Sequence, residues 1–424
     1  MGFDAINLPE SWHMVRIGDV GDVITGRTPR TKRPEFYGGD YNLISPADLD
    51  NGKYVITAHK KLTLIGFDEC RALPKDTVLV GCIGNVGKLG MIFDERSATN
   101  QQINAIICNK NNDPHFIYYC FHNNRSRLEQ AADKTTLPIL NKTNFENFEI
   151  AVPPLVEQRK IAGVLGVVQR AIEQQEQLLQ QTTELKKTLL HQLLTHGLRG
   201  EPQKQTEIGL MPENWEVVLL GDVFETQLGK MLSKKARTGN DPKPYLRNAN
   251  VQWGYIDISD MLKMDFNERE KEKFLLRSGD LLVCEGGVPG RAAVWKGEIN
   301  ECYYQKALHR LRPKDGRATN QFLAYWLMFS FELQNLCGVA GASSTIAHLP
   351  EVQLKALPIP VPERSQQEEI CDVVRQVDMR VDVLARKRMA LSDLLRILLH
   401  QLMTAQIRVH DLPEVALCLD GSLP

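Results

Sequence analysis

The chain has 424 residues, 43% hydrophobic and 24% charged, which suits folded globular protein and leaves length for two or three domains with separate cores. Its 51 basic and 52 acidic residues leave a net charge of −1, which excludes a protein that coats nucleic acid by bulk charge, since such binding rests on neutralising many phosphates. No run of about 18 apolar residues occurs. Met1-Gly2-Phe3-Asp4 shows neither a basic-then-apolar leader nor a myristoylation pattern, and the nine cysteines lack CxxC pairing or metal spacing. These features predict a cytoplasmic protein with reduced thiols and no membrane association.

Residues 1–154 read as a mixed domain of short strands and turns, with strands at Val78-Leu79-Val80, Gly90-Met91-Ile92-Phe93 and Ile103-Asn104-Ala105-Ile106-Ile107. A helix is expected from Pro114 to Ala132. The character changes after Pro153-Pro154. From Leu155 to His196 there is no proline, the only glycines are Gly163 and Gly166, and Gln, Glu, Lys and Leu dominate, which predicts one long helix within 155–200. Alternating steps of four and three pick out a seam of Ile161, Leu165, Val168, Ile172, Leu179, Leu189 and Leu193, interrupted by Gln175, Thr182 and Lys186.

Gly197 caps that helix, and a polar linker is expected from Glu201 to Leu210. The sequence then starts again. Leu8-Pro9-Glu10-Ser11-Trp12 is matched by Met211-Pro212-Glu213-Asn214-Trp215, and Gly18-Asp19-Val20 by Gly221-Asp222-Val223. Strands are expected at Asp280-Leu281-Leu282-Val283, Ala292-Ala293-Val294-Trp295 and Ala307-Leu308-His309-Arg310-Leu311, followed by a helix from Asn320 to about Leu336. Linker and second domain together occupy 201–361. A second long helix fills 362–408, with the seam Ile370, Val374, Val377, Val381, Leu384, Leu391, Leu395, Leu398 and Leu402, interrupted by Arg388. Residues 409–424 read as a loosely held tail. Leu189-Leu190-His191-Gln192-Leu193-Leu194-Thr195 returns as Leu398-Leu399-His400-Gln401-Leu402-Met403-Thr404, and the same offset pairs Gln158 with Gln367. A period near 200 residues is too long for a solenoid, so the repeat is a whole domain plus a helix. A helix of 42 residues is about 60 Å long and cannot leave its seam wet, so each copy's helix is the natural partner of the other.

Catalytic motifs are missing. Gly81-Cys82-Ile83-Gly84-Asn85-Val86-Gly87-Lys88-Leu89 lacks a glycine and the Ser or Thr of a phosphate loop and reads as a turn between strands. No GxGxxG, HExxH or GxSxG element occurs, nor the Asn/Asp-Pro-Pro-aromatic pattern of amino-methyltransferases. His191 and His400 read as packing residues, and no metal site is expected.

Several strings, in this order and spacing, resemble the specificity subunit of type I restriction-modification enzymes over essentially the whole chain. They are Thr25-Gly26-Arg27-Thr28-Pro29 before Tyr37-Gly38-Gly39-Asp40, then Ala98-Thr99-Asn100-Gln101-Gln102, then Val152-Pro153-Pro154-Leu155-Val156-Glu157-Gln158-Arg159-Lys160-Ile161. In the second copy they are Ser344-Thr345-Ile346-Ala347-His348-Leu349-Pro350 and Ile359-Pro360-Val361-Pro362. The resemblance implies an α+β fold with two similar mixed α/β target recognition domains separated by two long helices in an antiparallel coiled coil. It implies that each domain reads one half of a bipartite, asymmetric double-stranded DNA target. It also implies two modification subunits that methylate adenine with S-adenosylmethionine and two restriction/translocase subunits that use ATP and Mg, with no cofactor and no catalysis in this chain. The rival expectations are a protein-only coiled-coil adaptor and a self-contained restriction and methylation enzyme.

Candidate DNA contacts follow from side-chain chemistry. Arg27, Thr28, Arg30, Thr31, Lys32 and Arg33 form a basic loop, echoed by Lys230, Ser233, Lys234, Lys235 and Arg237 in the second copy, and both suit phosphates. Forked Arg and planar amides pair with base edges, which adds Gln101, Gln102, Arg247, Asn248, Asn250, Arg291 and Gln305. Trp12, Trp215, Trp253 and Trp295 are expected to be core or turn anchors rather than stacking platforms.

Overall fold

The computed structural model describes residues 8–133, 137–233, 241–334 and 348–411. It divides into two compact units, residues 1–177 with 385–424 and residues 178–384. Two long helices, Leu155–His196 and Arg364–Met403, each contribute one half to each unit. Gly197, at φ +72°, stops the first helix in the left-handed conformation that a side chain resists.

In the first unit the domain carries a five-stranded sheet in the order Gly21–Thr25, Ile103–Cys108, Val78–Gly81, Leu89–Ile92, Tyr54–Val55. Beside it lies a three-stranded sheet of Lys60–Leu62, Tyr37–Ile44 and Ser97–Thr99. The second unit repeats the plan. Its four-stranded sheet runs Phe224–Leu228, Leu308–Pro313, Leu281–Cys284, Ala292–Val294, and its three-stranded sheet joins Leu262–Asp265, Pro242–Leu246 and Tyr303–Tyr304. A two-stranded clasp ties the start of each domain to the strand that feeds its helix. His13–Arg16 pairs antiparallel with Glu149–Val152, and Glu216–Leu219 with Pro358–Val361.

Within each unit the two helix segments pack antiparallel. In the first, Ile161 and Leu165 share a core with Leu399, Leu402 and Met403, while Glu157 meets Arg408 at 2.9 Å and Glu176 meets Arg388 at 3.4 Å. In the second, Leu190, Leu193 and Leu194 pack with Ile370, Cys371 and Val374, and Lys186 reaches Asp378 at 2.6 Å. Ile161, Leu165, Ile172, Leu193, Ile370, Val374, Leu384 and Leu402 are buried; Val168, Leu179, Leu189, Val377, Val381, Leu391, Leu395 and Leu398 are partly buried. Off the seam, Leu185, Met379, Val383 and Met389 are more than half exposed.

Three sequence expectations change. The helix expected over 114–132 is two, Pro114–Asn123 and Arg125–Ala131, because Asn124 turns its side chain onto the Cys120 carbonyl at 2.8 Å and competes with the helical ladder. The polar linker is a hairpin, Gln203–Thr206 with Gly209–Pro212, turned by Gly209 at φ +102° and anchored by buried Ile208 and Met211. The helix from Asn320 stops being α-helical at Met328 and continues as a π-helical turn, Phe329–Leu333; residues 335–347 lie outside the described set.

One buried amide fixes each helix to its domain. Gln158 Oε1 accepts the Asp113 N–H at 2.8 Å, and its Nε2 donates to the Pro153 carbonyl at 2.9 Å and the Asn111 carbonyl at 3.3 Å. Gln367 does the same, accepting from Thr319 N–H at 2.8 Å and donating to Arg317 at 2.6 Å and Pro362 at 2.9 Å. Asp113 and Thr319 are N-caps of matching helices. Truncating either glutamine strands a buried backbone N–H, so Gln158→Ala and Gln367→Ala are each expected to destabilise their unit by about 2–3 kcal/mol. Denaturation followed at Trp12 for the first unit and Trp215 for the second measures this; a loss below about 0.5 kcal/mol, typical of neutral surface changes, would remove the amide from this role.

Candidate nucleic-acid interface

Three loops meet at one end of each domain's main sheet. The loop after the first sheet strand is drawn against the turn preceding its neighbour: Gly26 N–H donates to Ile103 and Arg27 N–H to Thr99, as Gly229 does to Leu308 and Lys230 to Tyr304. The approach requires glycine. A Cβ on Gly26 would lie 2.2 Å from the Asn100 carbonyl oxygen, and one on Gly229 would lie 2.3 Å from that of Gln305. The third loop is the hairpin following Val78–Gly81 or Leu281–Cys284. Its positive-φ glycines recur, Gly84 at +77° and Gly87 at +85° in one domain, Gly287 at +79° and Gly290 at +83° in the other. The hairpin leads into a strand, Leu89–Ile92, not into a helix, so the phosphate-loop-like string builds a turn. Each hairpin docks on the segment before a short helix: Gly84 N–H donates to Pro138 at 2.9 Å, and Leu349 N–H donates to Glu285 at 2.6 Å.

The first domain presents its basic loop to solvent. Arg27, Arg30, Thr31, Lys32 and Arg33 are exposed, and Thr28 donates to Gln101 Oε1 at 2.6 Å, joining the loop to the exposed end of the Asn100–Gln102 turn. Arg27 lies 3.7 Å from Glu69, and Arg33 lies 4.0 Å from Glu35 with its guanidinium 5.5 Å from the Phe36 ring centre. The side chains of Arg30 and Lys32 make no hydrogen bond or ion pair among the described residues. Gln102 is turned inward and accepts from Asn100 Nδ2 at 3.0 Å.

The second domain engages its candidates internally. Lys230 sits over the Phe266 ring at 4.8 Å and donates to Glu270 and to the Asp265 carbonyl, both at 2.6 Å. Arg247 holds Asp260 at 2.7 Å; Asn250 is buried and donates to the carbonyls of Asp257 and Asp260. Arg291 donates to the Asn248 carbonyl at 2.8 Å and to Gln252 at 3.2 Å, and Asn248 Nδ2 donates to Gly286 at 3.3 Å, so these residues cluster at the hairpin tip. Gln305, half-buried, bridges through its backbone to Lys230. Ser233 is exposed; Lys234, Lys235 and Arg237 lie outside the described residues. Lys88, which donates to the Pro46 carbonyl at 3.1 Å, occupies the place of Arg291 in the first domain. The signal in the sequence is its place after Gly87, as Arg291 follows Gly290 in the second hairpin.

Burial makes the thiols near these loops weaker acids than a free cysteine. Burial pushes Cys82 up to about 12 and Cys284 and Cys70 up to about 11, so all three stay protonated at neutral pH. Trp12, Trp215 and Trp295 are core residues, and Trp253 is partly buried at a turn. Among the described residues no cluster of His, Cys, Asp or Glu is placed to hold a metal ion, and no helix is long and apolar enough to cross a membrane.

The type I restriction modification DNA specificity domain matches this sequence twice, over residues 9–184 and 212–391. The chain is 26% identical to the MjaVIII specificity subunit of a type I restriction enzyme from Methanocaldococcus jannaschii, across 96% of this chain and 95% of that protein. Its fold is similar to the crystal structure of a type I restriction-modification S subunit from M. genitalium, with a TM-score of 0.59 at 17% identity, covering 92% of this chain and 95% of the other. A second solved chain, from work on complex assembly and conformational transition of a type I system, gives 0.55 at 19% identity over 95% of this chain and all of the other. With two matches that together span most of its length, the chain belongs to the family of type I restriction-modification DNA specificity domains.

Proposed function

We propose that this chain is the DNA-specificity subunit of a type I restriction-modification system, working in the cytoplasm and carrying no catalysis of its own. The observation that supports it most is repetition: two copies of one domain each gather the same three loops at one sheet end, and each copy is matched by the family. Two related readers that differ in loop side chains suit a bipartite, asymmetric target, with the paired helices setting the gap. In this reading two modification subunits bring S-adenosylmethionine to adenine, and two restriction/translocase subunits bring ATP and Mg; the present chain directs both to an address on double-stranded DNA. Adenine reaches a methyltransferase pocket only when unstacked, so the readers also anchor DNA against that distortion.

Three experiments test this. Methylome sequencing of cells expressing the chain with its modification partner should show one interrupted motif, and exchanging residues 211–357 should alter one half of it only; a change in both halves would defeat the assignment. One heptad added to each long helix, ~10 Å, should widen the gap by about three base pairs. In the first domain Arg30→Ala with Lys32→Ala is expected to weaken DNA binding by the assembled complex evenly across sequences and to flatten its salt dependence by about two units of slope. An unchanged slope would take that loop off the phosphates.

A further inference from the structure

Three cations in the first unit, half-buried Lys53 and exposed Arg159 and Arg170, line one open cavity without an ion-pair partner among the described residues. The cavity, of about 460 Å³, lies where the domain meets the first long helix and is lined by Lys53, Tyr54, His115, Arg159 and Arg170, with Asp113 and Glu173 also at its wall. Arg159 and Arg170 are three helical turns apart and so share a face, with Gly163 and Gly166 between them. No hydrogen bond or ion pair joins Lys53, Arg159 or Arg170 to another side chain among the described residues. The two carboxylates in the wall have partners of their own, Asp113 accepting from Phe116 N–H at 2.9 Å and Glu173 from Gln169 at 3.2 Å, while their charges still act on Lys53.

Two neutral groups, His115 in the wall and Tyr119 beside Gly166, are also unsatisfied. His115 Nδ1 and the Tyr119 hydroxyl are buried with no hydrogen-bond partner, although buried polar atoms are ordinarily paired. Lys53 faces the Tyr119 and Tyr118 rings at 4.7 and 5.6 Å, and burial brings its ammonium down to about 8. Burial and the Lys53 charge hold the His115 imidazole below its usual value, so it is neutral.

The space is made by sequence choices that cost helix stability. Glycine is among the poorest helix residues, yet two stand on this face, and a Cβ on Gly163 would meet nothing within 4 Å. The second helix carries other residues at these places. At the matching positions Asp372 and Arg375 pair with each other at 2.7 Å, and Tyr325, which matches Tyr119, has its hydroxyl satisfied by Asp378 at 2.8 Å. The helix residues that line the cavity are therefore particular to the first copy: Glu368, Asp372, Arg375 and Met379 stand where Arg159, Gly163, Gly166 and Arg170 do.

We infer that the cavity bounded by Lys53, Arg159, Arg170 and the glycine face of the first long helix binds a phosphate group. Forked guanidinium groups and an ammonium supply charge-assisted donors to its oxygens, and His115 supplies a neutral partner. The phosphate belongs either to a small free polyphosphate or to the DNA backbone. The pocket stands on residues outside the candidate reading loops, so its failure would leave the two-reader assignment untouched.

Titration calorimetry of the full chain with inorganic pyrophosphate tests it. Wild type should show saturable, salt-sensitive binding at one site. Arg159→Gln with Arg170→Gln, and separately Gly163→Leu, which fills the cavity and favours the helix, should each weaken binding at least tenfold while the circular dichroism spectrum is unchanged. Absence of saturable binding to wild type, or equal binding by both variants, would overturn the inference. The source is then separated with the assembled complex on a duplex carrying its target: competition by pyrophosphate, with DNA binding weakened in the variants, assigns the pocket to the backbone. DNA binding indifferent to both, with pyrophosphate binding retained by wild type, assigns it to a free phosphate compound.

Discussion

A buried carboxamide at the start of each long helix couples the direction of the helix to the orientation of its domain. Gln158 and Gln367 make their short polar contacts with backbone atoms of the proline just after the preceding strand and of the cap before the domain's main helix. Sliding the helix by one residue would turn the amide by about 100° and leave several backbone groups unpaired in a dry site. The seam, the clasp and the loop end of the sheet are thus referred to one point in each unit. Apolar packing alone would not do this, because hydrophobic contact is non-directional.

The polar interruptions in the seam add a second constraint. In the second unit Lys186 lies against Asp378, which also accepts the Tyr325 hydroxyl, so helix, partner helix and domain meet in one charged contact. Burying such a pair adds little net stability compared with apolar residues of the same size, but breaking it by a shift of register is costly. The Glu176 and Arg388 pair in the first unit is about half exposed and contributes little by the same measure. The two copies therefore share a scaffold while differing in how their polar residues are used. The same holds at the loops, where the first domain leaves Arg30 and Lys32 unengaged and the second folds Lys230 into a contact with Glu270.

Much of the architecture was legible because it is periodic. A seven-residue pattern and a domain-length repeat survive in sequence, and the helix end at Gly197 is a local signal. What escaped was set by partners distant along the chain or by single side chains. Asn124 breaks a helix that composition favours, and the 203–212 hairpin has few β-branched residues to announce it. Lys230, Arg247 and Arg291 read as available donors, yet Glu270, Asp260 and the Asn248 carbonyl occupy them, each brought in by tertiary folding. The pairing of Gln158 with Gln367 was visible as repetition, but the backbone groups they bind were not.

The two-stranded clasp has a mechanical consequence. In each domain the polypeptide enters along His13–Arg16 or Glu216–Leu219 and leaves along the antiparallel neighbour that becomes a long helix. Tension transmitted along the polypeptide is resisted first by that ladder, side by side at the domain's base. The sheet bearing the loops hangs off this junction as a branch rather than lying in series with it, so strain in the helices can be taken up without deforming the surface they carry.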